Sequence, residues 1–347
     1  MKVLHILRMS TYSGAENMAC QIINMASEKG IEAVYAAPDG EIRDAVEKKG
    51  IEFLPLNKIC VSEIKRAIEE TSPDVIHAHD MYVSFIASLC CGKIPMVSHI
   101  HNNDFGSRKI TLKSVLYLFA AHCAKCIFWV SKSAFDGYRF KGKIKDKSVV
   151  LKNIIDIDAV YTKANSDKEV YNYDICFIGR LVSPKDPLRL MRVFSKVQKS
   201  IPNVKIAVVG TGEMEEETRK LSLELGIGGN VDFLGFMANP YKLLRDSKVM
   251  VMTSATEGTP MSALEALSLG VPIVSTPTDG LADLIVQGKN GFTSSNDDEL
   301  AEYIENIITN PALREELSSG ATEKSIRDNN KHDYIDKIIK VYRDFTG

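Results

Sequence analysis

No apolar run in this 347-residue chain approaches the roughly 20 residues that a membrane-spanning helix needs. The opening Val3-Leu4-His5-Ile6-Leu7 is too short for the apolar core of a signal peptide, and Arg8 closes it. A cytoplasmic location is therefore expected, with the inner face of the membrane as a variant of it. Charge of one sign is also lacking: 43 Lys+Arg stand against 45 Asp+Glu, a net charge of −2 that carries no whole-chain nucleic-acid signal. The 7 cysteines show no framework spacing, which argues against an oxidising compartment. Cys123-Ala-Lys-Cys126 has no second pair to complete a zinc site, and buried thiols explain it better. There is no internal repeat and no low-complexity tract.

What is present is an ordinary globular composition, 45% hydrophobic and 25% charged, long enough for two domains. Short apolar runs at 3–7, 33–37, 74–78, 95–99 and 126–130 read as strands with helices between them. A second series follows at 174–179, 204–209, 231–234, 248–252 and 272–275. That rhythm implies α/β architecture: two Rossmann-like, doubly wound parallel sheets. The polar segment 157–173, whose apolar residues show no period, marks the expected boundary. Residues 1–163 carry a net +4 and the remainder a net −6, which suits an anionic surface or acceptor for the first half. The segment 108–130 mixes Lys109 and Lys113 with Val115, Leu116, Tyr117, Leu118 and Phe119. It fits a core helix of a layered domain, or an amphipathic helix on a membrane surface. At the end of the chain Tyr334, Ile335, Ile338, Ile339, Tyr342 and Phe345 recur on one helical face that needs a partner.

The stretch from Glu257 to Thr276 is the most informative. Pro260 suits the first position of a helix, Ala263, Leu264, Leu267 and Leu269 give it a buried face, and Gly270 ends it before the strand Val271-Pro272-Ile273-Val274. Glu257 thus lies on a loop and Glu265 about one turn into the helix, both able to accept bonds from sugar hydroxyls. The free amides at Met261 and Ser262 favour an anion such as phosphate. Upstream, a strand ends at Gly179 and delivers Arg180, with Lys185 five residues on. Two cations so placed can neutralise a diphosphate. Val208-Val209-Gly210-Thr211-Gly212 is either a tight turn or a place where backbone approaches a nucleotide. Ser13-Gly14-Ala15-Glu16 opens a helix with small residues but lacks the Gly-x-Gly-x-x-Gly of dinucleotide domains, which disfavours a nicotinamide cofactor. His99 and His101 leave a strand on the same side, followed by Asn102. With His77 and His79 they raise a four-histidine metal site, which the absence of any zinc-enzyme carboxylate–His spacing speaks against.

The spacing of the two glutamates carries little alone; the string around it resembles the retaining glycosyltransferases of family 4. Ser13-Gly14-Ala15-Glu16 resembles their Gly-Gly-x-Glu, and Gly179-Arg180-Leu181 with Lys185 matches in order. Asp186-Pro187 stands where the family has Gly or Asn after the lysine. Ser131-Lys132-Ser133 matches the family's interdomain turn, Asn153-Ile154-Ile155-Asp156 resembles its Asn-Gly-[Ile/Val]-Asp with Ile154 in place of Gly, and Thr278-Asp279-Gly280-Leu281-Ala282-Asp283 stands at the usual Gly-Gly-x-x-Glu. The resemblance runs from Ser13 to about Gly291. It implies the GT-B fold, two Rossmann-like domains facing a cleft: an acceptor domain at 1–163, a donor domain at 170–330, and a helix at 331–347 crossing back. It further implies transfer of a sugar from a nucleotide-diphosphate sugar, with UDP expected, to a hydroxyl acceptor on a saccharide or lipid carrier, with retention and without metal or cofactor. The implied catalytic residues are His101, Glu257, Arg180 and Lys185. The donor set is Gly14, Gly210, Arg180, Lys185, Glu257, Pro260, Met261, Ser262 and Glu265, with Glu265 on the ribose. Glu16, His99 and Asn102 are implied for the acceptor. Lys185→Ala is expected to lower turnover with little effect on folding. The rival readings are a nucleotide-sugar epimerase, which needs no acceptor, and a non-catalytic nucleotide-sugar binder.

Overall fold

The computed structural model describes residues 1–102 and 105–346. Thirteen strands among them form two all-parallel sheets. The first contains β1 (Lys2–Ile6), β2 (Glu32–Pro38), β3 (Glu52–Leu56), β4 (Val75–His79), β5 (Met96–Ile100), β6 (Cys126–Trp129) and β7 (Ser148–Val150), in the order β3-β2-β1-β4-β5-β6-β7. The second contains β8 (Ile175–Ile178), β9 (Ile206–Val209), β10 (Val231–Gly235), β11 (Val249–Met252), β12 (Ile273–Ser275) and β13 (Gly291–Thr293), in the order β10-β9-β8-β11-β12-β13. Each order reverses once, between β1 and β4 and between β8 and β11, as in the Rossmann pattern.

The reversal follows from burial on both faces. In the second sheet Ile175 and Phe177 pack with the helix Pro187–Ser200, while Cys176 and Ile178 face the helix Met261–Ser268. Strands apolar on both sides need helices on both sides. In the first sheet Leu4, Ile6, Ile76, Ala78 and Ile100 face one layer, which includes Ala87 and Tyr117. The opposite face carries Leu7, Tyr35 and Ala37 against the helix Gly14–Ser27, and on this face His5, His77, His79 and His99 replace aliphatic residues.

The chain divides into two compact units, Met1–Ile154 with Lys331–Gly347, and Ile155–Asn330. The expected boundary at 163 is corrected by this division. The segment expected to be a break contains the helix Ile157–Ser166, capped by Asp156 and packed on the helices Tyr241–Asp246 and Met261–Ser268. Its only buried side chains are Val160 and Ala164, too few to show a period. Within the first unit, the helix Lys331–Asp344 buries Tyr334, Ile335, Ile338, Ile339 and Tyr342 and contacts the helix Gly14–Ser27. Phe345, expected on the same face, lies past the helix end and is exposed. Strands β3, β7 and β13 were not foreseen, and all three are sheet edges. Ile338 is fully buried, so Ile338→Ala should cost about 2–5 kcal/mol. A urea midpoint unchanged from the wild type would show that this face contributes nothing.

Candidate functional site

At the carboxyl end of the second sheet, β8 and β11 lie side by side and their following helices leave to opposite faces. Ligands of open parallel sheets bind at such a point. After β8 the chain exposes Arg180, whose side chain has no hydrogen-bond or ion-pair partner among the described residues. A short turn, Ser183–Lys185, then presents Lys185. Asp186 follows in the left-handed region, φ +46°, and caps the next helix by accepting the Arg189 N–H at 3.1 Å. This conformation explains why Gly or Asn suits the position and why Asp is tolerated. The Thr253 hydroxyl ties the elbow to β11, donating to the carbonyls of Asp186 (3.0 Å) and Lys185 (3.3 Å).

After β11 the loop returns Glu257 to the same place. Lys185 Nζ donates to Glu257 Oε1, and Ser254 Oγ donates to the same oxygen at 2.7 Å. The carboxylate is only 8% exposed and the ammonium 18%. A pair this enclosed is costly to break from one side. Lys185→Ala would leave the Glu257 carboxylate with one hydroxyl, which corrects the expectation that this substitution spares folding. Pro260 is the cap of the helix Met261–Ser268 and not its first residue. The first backbone bonds into that helix come from Ala263 and Leu264 to Pro260 O, so the Met261 and Ser262 amides stand at its open end.

Glu265, in this helix, is brought to Tyr241 and not into the Lys185–Glu257 pair. Tyr241 OH donates to its Oε1 at 3.2 Å, and Lys163 lies over the Tyr241 ring. Burial pushes the Glu265 carboxyl up to about 7, against smaller opposing effects of Tyr241 and Lys163. Gly210 has φ +125°, and a Cβ there would meet Gly179 O at 2.0 Å. Its glycine is therefore required by the close packing of the two strand-end loops, a reason independent of any nucleotide.

At the carboxyl end of the first sheet, Gly14 opens the helix after β1, and the buried Glu16 accepts a bond from Ser13 Oγ. Asn102 is exposed. His99 is fully buried and shares a 3.3 Å bond with His77, so as placed it cannot touch an acceptor, and that expectation is withdrawn. His101 is half-buried. Ser131 caps the short helix after β6, a structural role.

The ring nitrogens of His5, His77 and His79, and of His79, His99 and His101, approach within 4.8 Å of one another. However, His79 Nδ1 and His101 Nε2 are 2.7 Å apart and His5 Nδ1 and His79 Nε2 3.0 Å. Two ligands of one tetrahedral zinc, each at about 2.0–2.1 Å, would stand about 3.3 Å apart. As placed, these two pairs of nitrogens are hydrogen-bonded to each other.

Sequence reasoning missed Thr253, Ser254 and Tyr241, and it read Tyr342 only as part of an apolar helix face, not as the partner of His77. Thr253 and Ser254 follow directly on β11, where polar residues at a strand's carboxyl end are a usable signal. Tyr241 and Tyr342 carried none, because each meets its partner only through the fold.

Two family models match the chain: "Glycosyltransferase Family 4" over residues 12–159 and "Glycosyl transferases group 1" over residues 162–324. An uncharacterised glycosyltransferase of Methanocaldococcus jannaschii is 28% identical over 306 residues, 81% of this chain and 74% of that one. A Campylobacter jejuni α-1,4-N-acetyl-D-galactosaminyltransferase, whose name gives a diphospho-undecaprenol-linked acceptor, is 27% identical over 270 residues, 75% of this chain and 72% of that one. The crystal structure of Anabaena HepE in complex with UDP-glucose superimposes with a TM-score of 0.86 at 21% identity, covering 99% of this chain and 100% of HepE. The fold is GT-B, and the protein is a glycosyltransferase. It belongs to glycosyltransferase family 4.

Burial holds the His5 and His101 imidazoles at about 3, and those of His77, His79 and His99 well below the usual value. The unfolded chain protonates them near about pH 6.5. Below that pH it binds more protons than the native state, so their stabilisation is full above about 6.5 and is lost on acidification, by up to about 1.4 kcal/mol per pH unit for each ring. Glu265 has the opposite sign, its share being present below 4.5 and lost as pH rises through about 7, but it is one group against five. The urea midpoint should therefore fall steeply between about pH 6.5 and about pH 4.5. A flat profile there would show that these rings are charged in the native state.

Proposed function

We propose that the protein is a retaining, metal-independent transferase that moves a sugar from a UDP-sugar to a hydroxyl of a saccharide or lipid-linked acceptor in the synthesis of a bacterial cell-surface polysaccharide or glycolipid. The observation that carries this reading is the convergence of Lys185 and Glu257 at the β8/β11 reversal, with Arg180, which has no side-chain partner among the described residues, on the loop that leaves β8. The UDP-glucose held by HepE and the lipid-linked acceptor of the Campylobacter enzyme support the donor and acceptor classes.

In this reading Arg180 and Lys185 hold the diphosphate, and the amides of Met261, Ser262 and Gly14 assist them. Glu257, freed from Lys185 when the phosphate arrives, orients the transferred sugar, whose hydroxyls His101 also meets. Glu265 accepts from the ribose hydroxyls. Glu16 and Asn102 remain with the acceptor, and Gly210 keeps the loop beneath the donor in place. The acceptor oxygen attacks the anomeric carbon on the face from which the phosphate leaves. The anomeric C–O bond breaks as the new one forms, and the acceptor proton passes to the departing phosphate oxygen. Negative charge grows on the diphosphate, where fixed cations lower the barrier most. No protein nucleophile, metal or cofactor is required by this scheme.

Membrane contact fits one surface. Ile110, Leu112, Val115 and Phe119 are all exposed, Leu112 at 75%, along the start of the helix Leu112–Cys123, with Lys109 and Lys113 exposed among them. No helix of the described residues is long and apolar enough to cross a membrane. A basic, apolar stripe of this kind suits the surface of an anionic bilayer.

Lys185→Ala should lower kcat for sugar transfer by about 10²–10³-fold. Because it strands a buried carboxylate, it should also cost about 1–3 kcal/mol of stability. Wild-type turnover would refute the leaving-group role. UDP should bind with release of protons near pH 7, since ribose hydroxyls donating to Glu265 favour its ionised form. Calorimetric enthalpies that do not vary with the buffer's ionisation heat would contradict this. The protein should sediment with phosphatidylglycerol vesicles and Phe119→Glu should not; equal sedimentation of both would remove the stripe from membrane contact.

A further inference from the structure

Glu265 is not part of the ion pair at the β8/β11 reversal, and what holds it lies wholly within Ile155–Asn330. It projects from the helix Met261–Ser268 and is 9% exposed. Its Oε1 accepts from Tyr241 OH at 3.2 Å. Its Oε2 has no bond among the described residues, yet it is not one of their enclosed, partnerless polar atoms. The small surface that Glu265 keeps therefore includes Oε2. One carboxylate oxygen is fixed and the other is open.

Tyr241 is itself anchored. Its ring packs on the core that contains Leu243, Ala263 and Ala266. Two bonds tie the helix it opens, and the residues before it, to the helix Ile157–Ser166. Asn239 Nδ2 donates to Lys163 O at 2.9 Å, and Arg245 Nη1 to Asn165 Oδ1 at 2.7 Å. The same contact sets Lys163 Nζ 5.7 Å from the centre of the Tyr241 ring. Burial, and then the carboxylate beside it, push the phenol far above its usual range, so it stays protonated and donates. On Glu265 burial acts upward, while the Tyr241 bond and the Lys163 charge act downward. The other elements packed on its helix add no group to these two. Strand β12 has no titratable residue, and Lys324 of the helix Pro311–Asp328 is taken up by Asp328.

A glutamate side chain has rotamer freedom to lose before it can hold a ligand. A bond to one of its oxygens, made before the ligand arrives, removes that freedom in advance. We propose that Tyr241 is a positioning residue whose hydroxyl pins Oε1 of Glu265, so that Oε2 is presented already oriented to the ribose hydroxyls of the nucleotide. Lys163 acts on the same carboxylate through its charge alone. The inference rests on the reading of Glu265 given above, and it makes Tyr241 a determinant of ribose against deoxyribose.

Infrared spectra of the ligand-free protein, assigned by the signal lost in Glu265→Gln, follow the Glu265 carboxyl. Its midpoint in the wild type is expected at about 7. Tyr241→Phe deletes the hydroxyl oxygen and keeps the ring in the core. It should raise that midpoint, because a bond that favours the ionised form is gone. A midpoint unchanged or lowered overturns the proposal. Calorimetry then compares UDP with 2′-deoxy-UDP, above each protein's own midpoint. The wild type should prefer UDP. Tyr241→Phe should bind UDP about 3–10-fold more weakly and 2′-deoxy-UDP nearly as well as the wild type does, so that the preference shrinks. An undiminished preference overturns the positioning role. Lys163→Gln removes the charge and keeps the bond; the midpoint should rise and the preference stay. A preference lost equally in Lys163→Gln would assign the effect to charge and overturn the role of the bond. Equal affinity of the wild type for the two nucleotides would instead sink the ribose reading of Glu265, and the ligand-free titration tests the Tyr241 bond in either case.

Discussion

Parallel strands buried on both faces must send their connections alternately to one side and the other, and each sheet therefore has one place where two neighbouring strands part company. In this protein that constraint operates twice, at β1/β4 and at β8/β11. Several of the polar groups of interest lie in these four strands or on the loops just beyond them. Lys185 follows β8 and Glu257 follows β11; His5 lies in β1 and His77 and His79 in β4. The same crossover rule that buries Phe177 and Cys176 on opposite faces thus also brings an ammonium to a carboxylate 72 residues away.

The two switch points are finished with different chemistry. The second sheet ends in charge: a lysine and a glutamate neutralise each other with a serine in support, and the arginine on the loop after β8 has no partner among the described residues. Such a pair is a poor source of stability but a ready exchange partner for an incoming anion. The first sheet ends in neutral donors and acceptors. Stacked imidazoles satisfy one another in a volume that aliphatic side chains would otherwise fill, at the cost of sensitivity to acid. Glu265 is a third case, a carboxyl held near neutrality by burial beside Tyr241.

Much of this was legible in the linear chain. Central strands such as Val75–His79 and Val249–Met252 are short, almost wholly apolar or buried runs, and they stood out. The edge strands β3, β7 and β13 did not, because an edge buries less and tolerates breakers; Pro55 sits in β3. The helix Ile157–Ser166 was missed because two buried residues do not make a period. The single-residue departure at Asp186 became intelligible only once its left-handed backbone was seen.

The order of motifs along the chain determined the fold class, the family and the identity of the charged residues, because local patterns of apolar period, glycine and proline survive in one dimension. Tertiary structure decided which of those residues meet. That Lys185 closes on Glu257, that Glu265 turns to Tyr241, that His99 is fully buried while His101 is half-buried, and that Tyr342 reaches His77 across 265 residues all depend on strand register and helix packing. These are contacts between side chains far apart in sequence, and their energies depend on burial and geometry that no local pattern records.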